Sequence, residues 1–508
     1  MFTLEMAWRI ILAPMMGNDI RMGLENSYAA LPERFFQSIR PTPVAAPALV
    51  KLNESLAEEL GLDTDWLQSP DGVAVLAGNR VPDDARPLAM AYAGHQFGHW
   101  AGRLGDGRAI LLGERIDQNG VRRDIQLKGA GPTIFSRGGD GRASIGPVVR
   151  EYLASEAMAA LGIPTTRALA VATSGEEVYR QRPEPGGILV RVAESHVRVG
   201  TFQYLAATND FDGIQALIDY LVDRHYPQAA EHDNPVLALL EQIVVRTARL
   251  VADWMLVGFI HGVMNTDNTS LVGETLDFGP FGFIDEFHPD TVYSSIDRHG
   301  RYAWSQQPGI AAWNLARLGE ALLPAAGGQP ATESVNATLA GFRSEFESVF
   351  HQGLHSKLGF QEVRDEDVEL AFDLLGRMQR GSADLTLTFR GLSELPGQAS
   401  DQDQAIASLF DPPELIQPWL VRWRQRLAAE HSDDASRQSR MQAVNPAFIL
   451  RNHLAQAAVD EAIERGNFSK MEELLEVISR PFEQLPDHPE LYIPPRPEER
   501  VLETFCGT

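Results

Sequence analysis

Three groups of residues in this chain have side chains suited to a nucleoside triphosphate and a hard metal ion. The segment His261-Gly-Val-Met-Asn-Thr-Asp-Asn268 is followed nine residues later by Asp277-Phe278-Gly279. The amide oxygen of Asn268 and the carboxylate of Asp277 are oxygen ligands of the kind that magnesium prefers. Upstream, Lys128 and Glu151 form a second group, a cation able to meet phosphate and a carboxylate able to orient it. The third is Gly105-Asp106-Gly107-Arg108, where small residues let backbone N–H groups approach phosphate oxygens. Taken one at a time, these are also a tight turn, a solvated ion pair and a loop after a strand.

The elements around them narrow the choice. Arg108 to Asp117 predicts a strand, Asn119-Gly120 a two-residue hairpin turn, and Val121 to Lys128 the returning strand, with Gln126 and Lys128 on one face and Ile125 and Leu127 on the other. Pro147 marks the first turn of a helix whose apolar positions recur every three to four residues, with Glu151 near its start and Gly162 and Pro164 ending it. Gly187 to Val192 is extended. From Ile214 to Ala252, and again from Ala311 onward, the pattern is mainly helical, while the Pro-containing stretches Leu395 to Pro418 and Leu485 to Arg496 look like connections. Strands first and helices afterwards indicate an α+β chain with two lobes.

The order of the parts is more specific than any part alone. Glycine loop, hairpin, strand lysine, helix glutamate, core helix, His-to-Asn loop and Asp-Phe-Gly follow one another as in protein kinases. The expectation is therefore a two-lobed, protein-kinase-like fold: a mixed strand and helix N-lobe at 26–200 and a mainly helical C-lobe with a helical C-terminal extension at 201–508, after an N-terminal extension at 1–25. One position departs from kinases. Two residues after His261, where a kinase has its catalytic aspartate, stands Val263, which cannot accept a proton. Asp267, beside Asn268, is the nearest carboxylate that can serve as acid or base.

Composition sets outer limits. The net charge of −25, from 44 Lys plus Arg against 69 Asp plus Glu, repels polyanions, so neither nucleic acid nor an anionic membrane is expected as a partner. The longest apolar helical pattern, Leu239 to Phe259, is interrupted by Glu241, Arg246, Arg249 and Asp253 and is expected to be a buried core helix. The single cysteine, Cys506, excludes an intramolecular disulfide, and a cytoplasmic location is expected. The apolar run Trp8 to Met16 lacks a basic flank and a cleavage signal, so residues 1–22 are expected to be an extension rather than a targeting segment. His95 and His99 have a metal-ligand spacing, but the glycines around them favour a turn or packed loop.

On the stretches Tyr92-Ala-Gly-His-Gln-Phe-Gly-His99, Gly105 to Arg108, Gln126-Leu-Lys-Gly-Ala-Gly-Pro132, Ser136 to Arg142 and His261 to Phe278, the chain resembles the selenoprotein O family of kinase-like AMP transferases from about Asn26 onward. The resemblance implies that ATP binds flipped relative to kinases, so that AMP passes from ATP (or UMP from UTP) to Ser, Thr or Tyr hydroxyls of proteins and pyrophosphate departs. It further implies nucleotide contacts from Gly105, Gly107, Arg108, Lys128, Asp140, Gly141, Arg191, Arg198 and Asp277, a Mg2+ or Mn2+ site at Asn268 and Asp277, a structural ion pair from Glu151, and Asp267 as the proton acceptor. Phe505-Cys506-Gly507-Thr508 matches the family's selenocysteine tail only in part, with sulfur in place of selenium. Two other functions remain open at this stage, a kinase that moves the γ-phosphate and a nucleotide-binding pseudokinase without chemistry.

Overall fold

The Asn119-Gly120 pair turns the chain, but over the three residues 118–120 rather than the two expected, with Asp117 N–H on Val121 O at 2.8 Å and Gly120 N–H on Asp117 O at 3.0 Å. In the computed structural model β6 (Ala109–Ile116) and β7 (Arg122–Lys128) are antiparallel neighbours, and Gly120, at φ +81°, takes the left-handed backbone that the turn needs. The structure describes residues 20–180, 182–430 and 433–504, so the run Trp8 to Met16 and Cys506 lie outside the described residues. The two strands belong to an eight-stranded antiparallel sheet with the order β1 (Phe36–Ser38), β3 (Leu88–Met90), β6, β7, β10 (Pro183–Ala193), β9 (Arg167–Tyr179) and β2 (Ala48–Leu52), while β8 (Ala143–Ser144) pairs with β10. A separate hairpin joins β4 (Gly94–Gln96) and β5 (His99–Ala101), and β11 (Phe259–Ile260) pairs with β12 (Gly282–Phe283).

The alternation along β7 places chemistry on one face and core on the other. Ile125 and Leu127 pack with Ile110, Leu112, Ile188 and Val190 in one apolar cluster, together with residues of the short helices α1 (Glu54–Glu59), α2 (Thr64–Gln68) and α3 (Pro70–Leu76). Gln126 and Lys128 point to the opposite face, and the β10 register sets Arg191 directly across from Gln126. Against that face lies α4 (Ile145–Ala160), the helix that brings Glu151. It opens at Ile145, two residues before Pro147, so Glu151 sits in its second turn rather than at its start, and Gly162 at φ +78° follows its end.

The remaining chain is mainly helical. After α5 (Val199–Ala207), the stretch expected to be helical from Ile214 to Ala252 is broken by Pro227 and by the Asn234-Pro235 start signal, giving α6 (Phe211–His225) and the long core helix α7 (Pro235–Leu256). The Asn234 side chain accepts from Leu237 N–H at 3.2 Å, capping α7. Phe259, expected to close this helix, instead starts β11 after Gly258 turns the backbone at φ +73°. Helices α8 (Gln307–Ala326) and α9 (Thr332–Lys357) pack against α7, and further helices follow as far as Ile478. Most of these helices enter the larger apolar cluster, which also covers the inner side of α4. No helix among the described residues is long and apolar enough to cross a membrane.

Candidate active site

Five ionisable side chains from distant parts of the chain meet on the α4-facing side of the sheet. Lys128 Nζ pairs with Glu151 Oε2, and Arg191 Nε donates to Glu151 Oε1 at 2.5 Å. A second nitrogen of Arg191 pairs with Asp277 Oδ1, while Arg198 donates to Asp277 Oδ2 at 2.8 Å. Arg198 also stacks over the Tyr92 ring with its centre 4.5 Å from the ring centroid. Asp106, of the glycine loop, accepts from Gln126 Nε2 at 3.1 Å and lies 3.9 Å from Arg198.

Four of the five side chains are buried and Asp277 is partly so, so their charges shift one another strongly. Burial lowers the pKa of Lys128, and Arg191 lowers it further, while Glu151 opposes both. Burial alone would raise the Asp277 carboxyl, yet Arg191, Arg198 and Lys128 together hold it well below the usual carboxylate range. Glu151 is likewise lowered, because Arg191 and Lys128 outweigh its desolvation. Asp277 takes a left-handed backbone at φ +63°, unusual for a non-glycine residue and held here by two arginines.

The loop before Asp277 is tied to the same cluster. The Arg198 nitrogen that meets Asp277 also donates to the Asp267 carbonyl at 2.7 Å. His261 is buried, and burial lowers its pKa. Its Nδ1 accepts from Val263 N–H at 3.3 Å, so the neutral ring donates through Nε2 to Leu276 O at 2.9 Å, bracing the loop against the segment that leads to Asp277. Asn268 donates its amide N–H to Val263 O at 3.2 Å, which leaves Oδ1 available as a ligand. Burial raises the Asp267 carboxyl to about 6, against a hydrogen bond from Gln96 that lowers it. Val263, in contrast, presents only a buried apolar side chain.

The glycines divide into packing and approach roles. At Gly105, with φ +106°, a Cβ would lie 2.4 Å from the Phe135 ring, and at Gly107 it would lie 2.8 Å from Phe135 O. The loop is therefore pressed onto residues 133–136, and Ser136 Oγ donates to Gly107 O. Gly141 is similarly close to Gly131, where a Cβ would come within 2.1 Å of the carbonyl carbon. Arg108 precedes β6 and is near enough to Lys128 to lower its pKa. Asp140 stands apart from the five-residue cluster, pairing with Arg180 at 3.0 Å and accepting Arg142 N–H at 2.9 Å. His95 and His99 occupy opposite strands of the β4–β5 hairpin, and His95 Nδ1 contacts Gln203 Nε2 at 3.0 Å.

The cluster can do two kinds of chemistry. Lys128, Arg191 and Arg198 present three cations to a polyphosphate in a water-poor site, where such contacts are strong. Asn268 and Asp277 supply hard oxygens, and a carboxylate with about four lone-pair sites can accept from two arginines and still ligate a cation. A cavity of about 530 Å3, lined in part by Arg123, Glu194, Arg246 and Glu274, includes none of these groups. Gln126, Asp106, Tyr92 and Gln96 were not singled out as site residues by sequence reasoning. For Gln126 a signal existed, its place two residues before Lys128 on the same strand face.

Known proteins share this sequence over nearly the whole chain. The family model described as protein adenylyltransferase SelO matches residues 19–479. The chain is similar to the protein nucleotidyltransferase YdiU of Alkalilimnicola ehrlichii, 58% identical over 487 residues, covering 95% of this chain and 98% of that protein. Proteins of the same name from Rhodopseudomonas palustris strain BisB5 and Rhizobium etli are 54% and 56% identical, covering 96% and 95% of this chain and 100% and 97% of theirs.

Proposed function

Because the chain belongs to the protein adenylyltransferase SelO family, we propose that the Lys128–Glu151–Arg191–Asp277–Arg198 cluster binds the triphosphate of ATP and directs its α-phosphorus toward an acceptor protein. The chain is a protein nucleotidyltransferase that moves AMP to hydroxyl side chains with release of pyrophosphate. The observation that carries the site assignment is the Arg198 guanidinium, which holds the Asp277 carboxylate and the Asp267 carbonyl at once and so fixes the cluster and the loop together.

Within this reading the architecture is kinase-like, with an N-lobe at 26–200 and a C-lobe at 201–508, and the nucleotide lies between them. Gly105, Gly107 and Arg108 border the phosphates from the glycine loop, and Gly141 and Asp140 belong to the adjoining turn. Lys128, Arg191 and Arg198 neutralise the triphosphate, the arginines exchanging part of their hold on Asp277 for phosphate oxygens. Asn268 and Asp277 would hold Mg2+ or Mn2+, which when bound supplies charge neutralisation at the phosphates. The acceptor oxygen attacks the α-phosphorus, its proton passes to Asp267, and the bond to the bridging oxygen of pyrophosphate breaks. A carboxyl near 6 is ionised at neutral pH yet more basic than an exposed aspartate, as a general base requires. With an acidic surface, no membrane-crossing helix among the described residues and one cysteine, the protein suits a cytoplasmic role on protein acceptors.

The test is Asp267→Asn, which keeps size and removes basicity. Transfer should fall about 10²- to 10⁴-fold, while ATP binding measured by calorimetry persists through Lys128, Asn268 and Asp277. If ATP binding falls as far as transfer does, Asp267 is a metal ligand and the proton acceptor is elsewhere.

A further inference from the structure

The β4–β5 hairpin belongs to the N-terminal half of the chain, yet it lies directly on the loop that carries Asp267. His95 N–H donates to Thr266 Oγ1 at 2.7 Å, and Phe97 N–H, at φ +50°, is shared between Asn265 Oδ1 at 3.0 Å and Tyr302 Oη at 3.1 Å. Tyr302 Oη in turn donates to Asn265 Oδ1 at 2.7 Å. Between these two anchored positions, Gln96 Nε2 donates to Asp267 Oδ2 at 3.0 Å. The other oxygen, Oδ1, is buried without a hydrogen-bond partner. Gly94 faces it, and a Cβ there would stand 2.7 Å from Oδ1 and 2.9 Å from Thr266 Oγ1.

A buried carboxylate with one satisfied oxygen and one unsatisfied oxygen is unusual, because leaving such an atom unpaired is costly. Here the asymmetry has a chemical use. An amide donor on Oδ2 fixes the rotation of the carboxylate, and the absence of a side chain at position 94 lets Asp267 lie tight against the hairpin backbone. We infer that Gln96 is a positioning residue for adenylyl transfer, fixing the Asp267 carboxylate through Oδ2 in the orientation in which it receives the acceptor's proton, with Gly94 giving that carboxylate its place against the hairpin. The inference rests on Asp267 being the base. It assigns to the hairpin a part in the reaction that lies outside the triphosphate cluster.

The full-length protein is compared with Gln96→Leu, Gly94→Ala, Asp267→Asn and the double variant Gln96→Leu/Asp267→Asn. Transfer to a protein acceptor is followed at saturating ATP, ATP affinity is measured separately, and thermal unfolding checks that each variant is folded. Gln96→Leu should lower kcat about 10- to 100-fold, the scale of losing a hydrogen bond to a charged group, with ATP affinity unchanged within about twofold. Gly94→Ala should lower kcat as well, by pushing the Asp267 carboxylate away from the hairpin. In the Asp267→Asn background, Gln96→Leu should have no further effect, since its contribution passes through that carboxylate. An unchanged or raised kcat in Gln96→Leu, or an equal loss with Asp267 and without it, overturns the positioning role while leaving the base intact. Near-full activity of Asp267→Asn alone would instead remove the base reading.

Discussion

Substituting Glu151 with glutamine removes one charge from the centre of the cluster and leaves its shape. Glu151 is only 1% exposed and uses both oxygens, Oε2 toward Lys128 and Oε1 toward Arg191 at 2.5 Å. Arg191 retains Asp277, whereas Lys128 loses its only direct ion-pair partner among the described residues. Breaking a buried pair in this way costs about 3–5 kcal/mol. At about 2.1 cal/mol/K of unfolding entropy per residue, the 508-residue chain unfolding as one unit gains about 1 kcal/mol/K, so Tm should fall by about 3–5 °C. The sign of the pH dependence follows from Lys128. Its folded-state pKa is already lowered by burial and Arg191, and loss of Glu151 lowers it further. A lysine of this kind destabilises fully below its folded pKa and less as pH rises toward its unfolded value near 10.4. The Tm deficit, measured by calorimetry, should therefore be larger at pH 6 than at pH 9.5, and ATP affinity should fall together with the loss of an ordered cation. A deficit that is absent, or that grows with pH, would refute this account of the ion cluster.

Other substitutions separate catalysis from stability. Asp277→Ala should reduce transfer by about 10³-fold or more, because the carboxylate that would hold the charge-neutralising metal at the triphosphate is gone; near-full activity with magnesium present would remove Asp277 from the site. Lys357 is a buried cation outside the cluster, 4.8 Å from the Phe389 ring centroid, without a carboxylate partner among the described residues, and burial lowers its pKa to about 7. Lys357→Met should therefore raise Tm by about 3–5 °C at pH 6, and the gain should shrink between pH 7 and pH 10 as the native lysine loses its proton. A gain that does not depend on pH would mean that packing, not charge, limits stability at that position.

What the sequence discloses here depends on how local the determining interaction is. The β6–β7 hairpin is legible because Asn119-Gly120 and a two-residue alternation sit next to each other, and α4 because Pro147, its apolar period and Gly162 lie within twenty residues or so. The break between α6 and α7 was marked by Pro227 and Asn234-Pro235, but the apolar period on either side hides it. The strand β9 is buried on both faces over much of its length, so it has no alternation to betray it. At the site, the order of Lys128, Glu151, Asn268 and Asp277 carries the kinase-like pattern. The contact of Gln96 with Asp267 spans 171 positions and depends on how a hairpin lands on a loop, which leaves no local trace. Gly105 and Gly107 are glycines in a phosphate-loop pattern, yet the structure adds a packing reason in Phe135 that spacing alone does not contain.

The central claim is that the α-phosphorus of ATP, rather than the γ-phosphorus, reaches the acceptor. The direct measurement uses ATP labelled at one phosphate or the other, incubated with the protein, magnesium or manganese and an acceptor protein, with label on protein read after denaturation. The account predicts stable label from α-labelled ATP, none from γ-labelled ATP, release of pyrophosphate, and loss of all three signals in Asp277→Ala. Label from γ-labelled ATP alone would contradict it and identify the protein as a kinase.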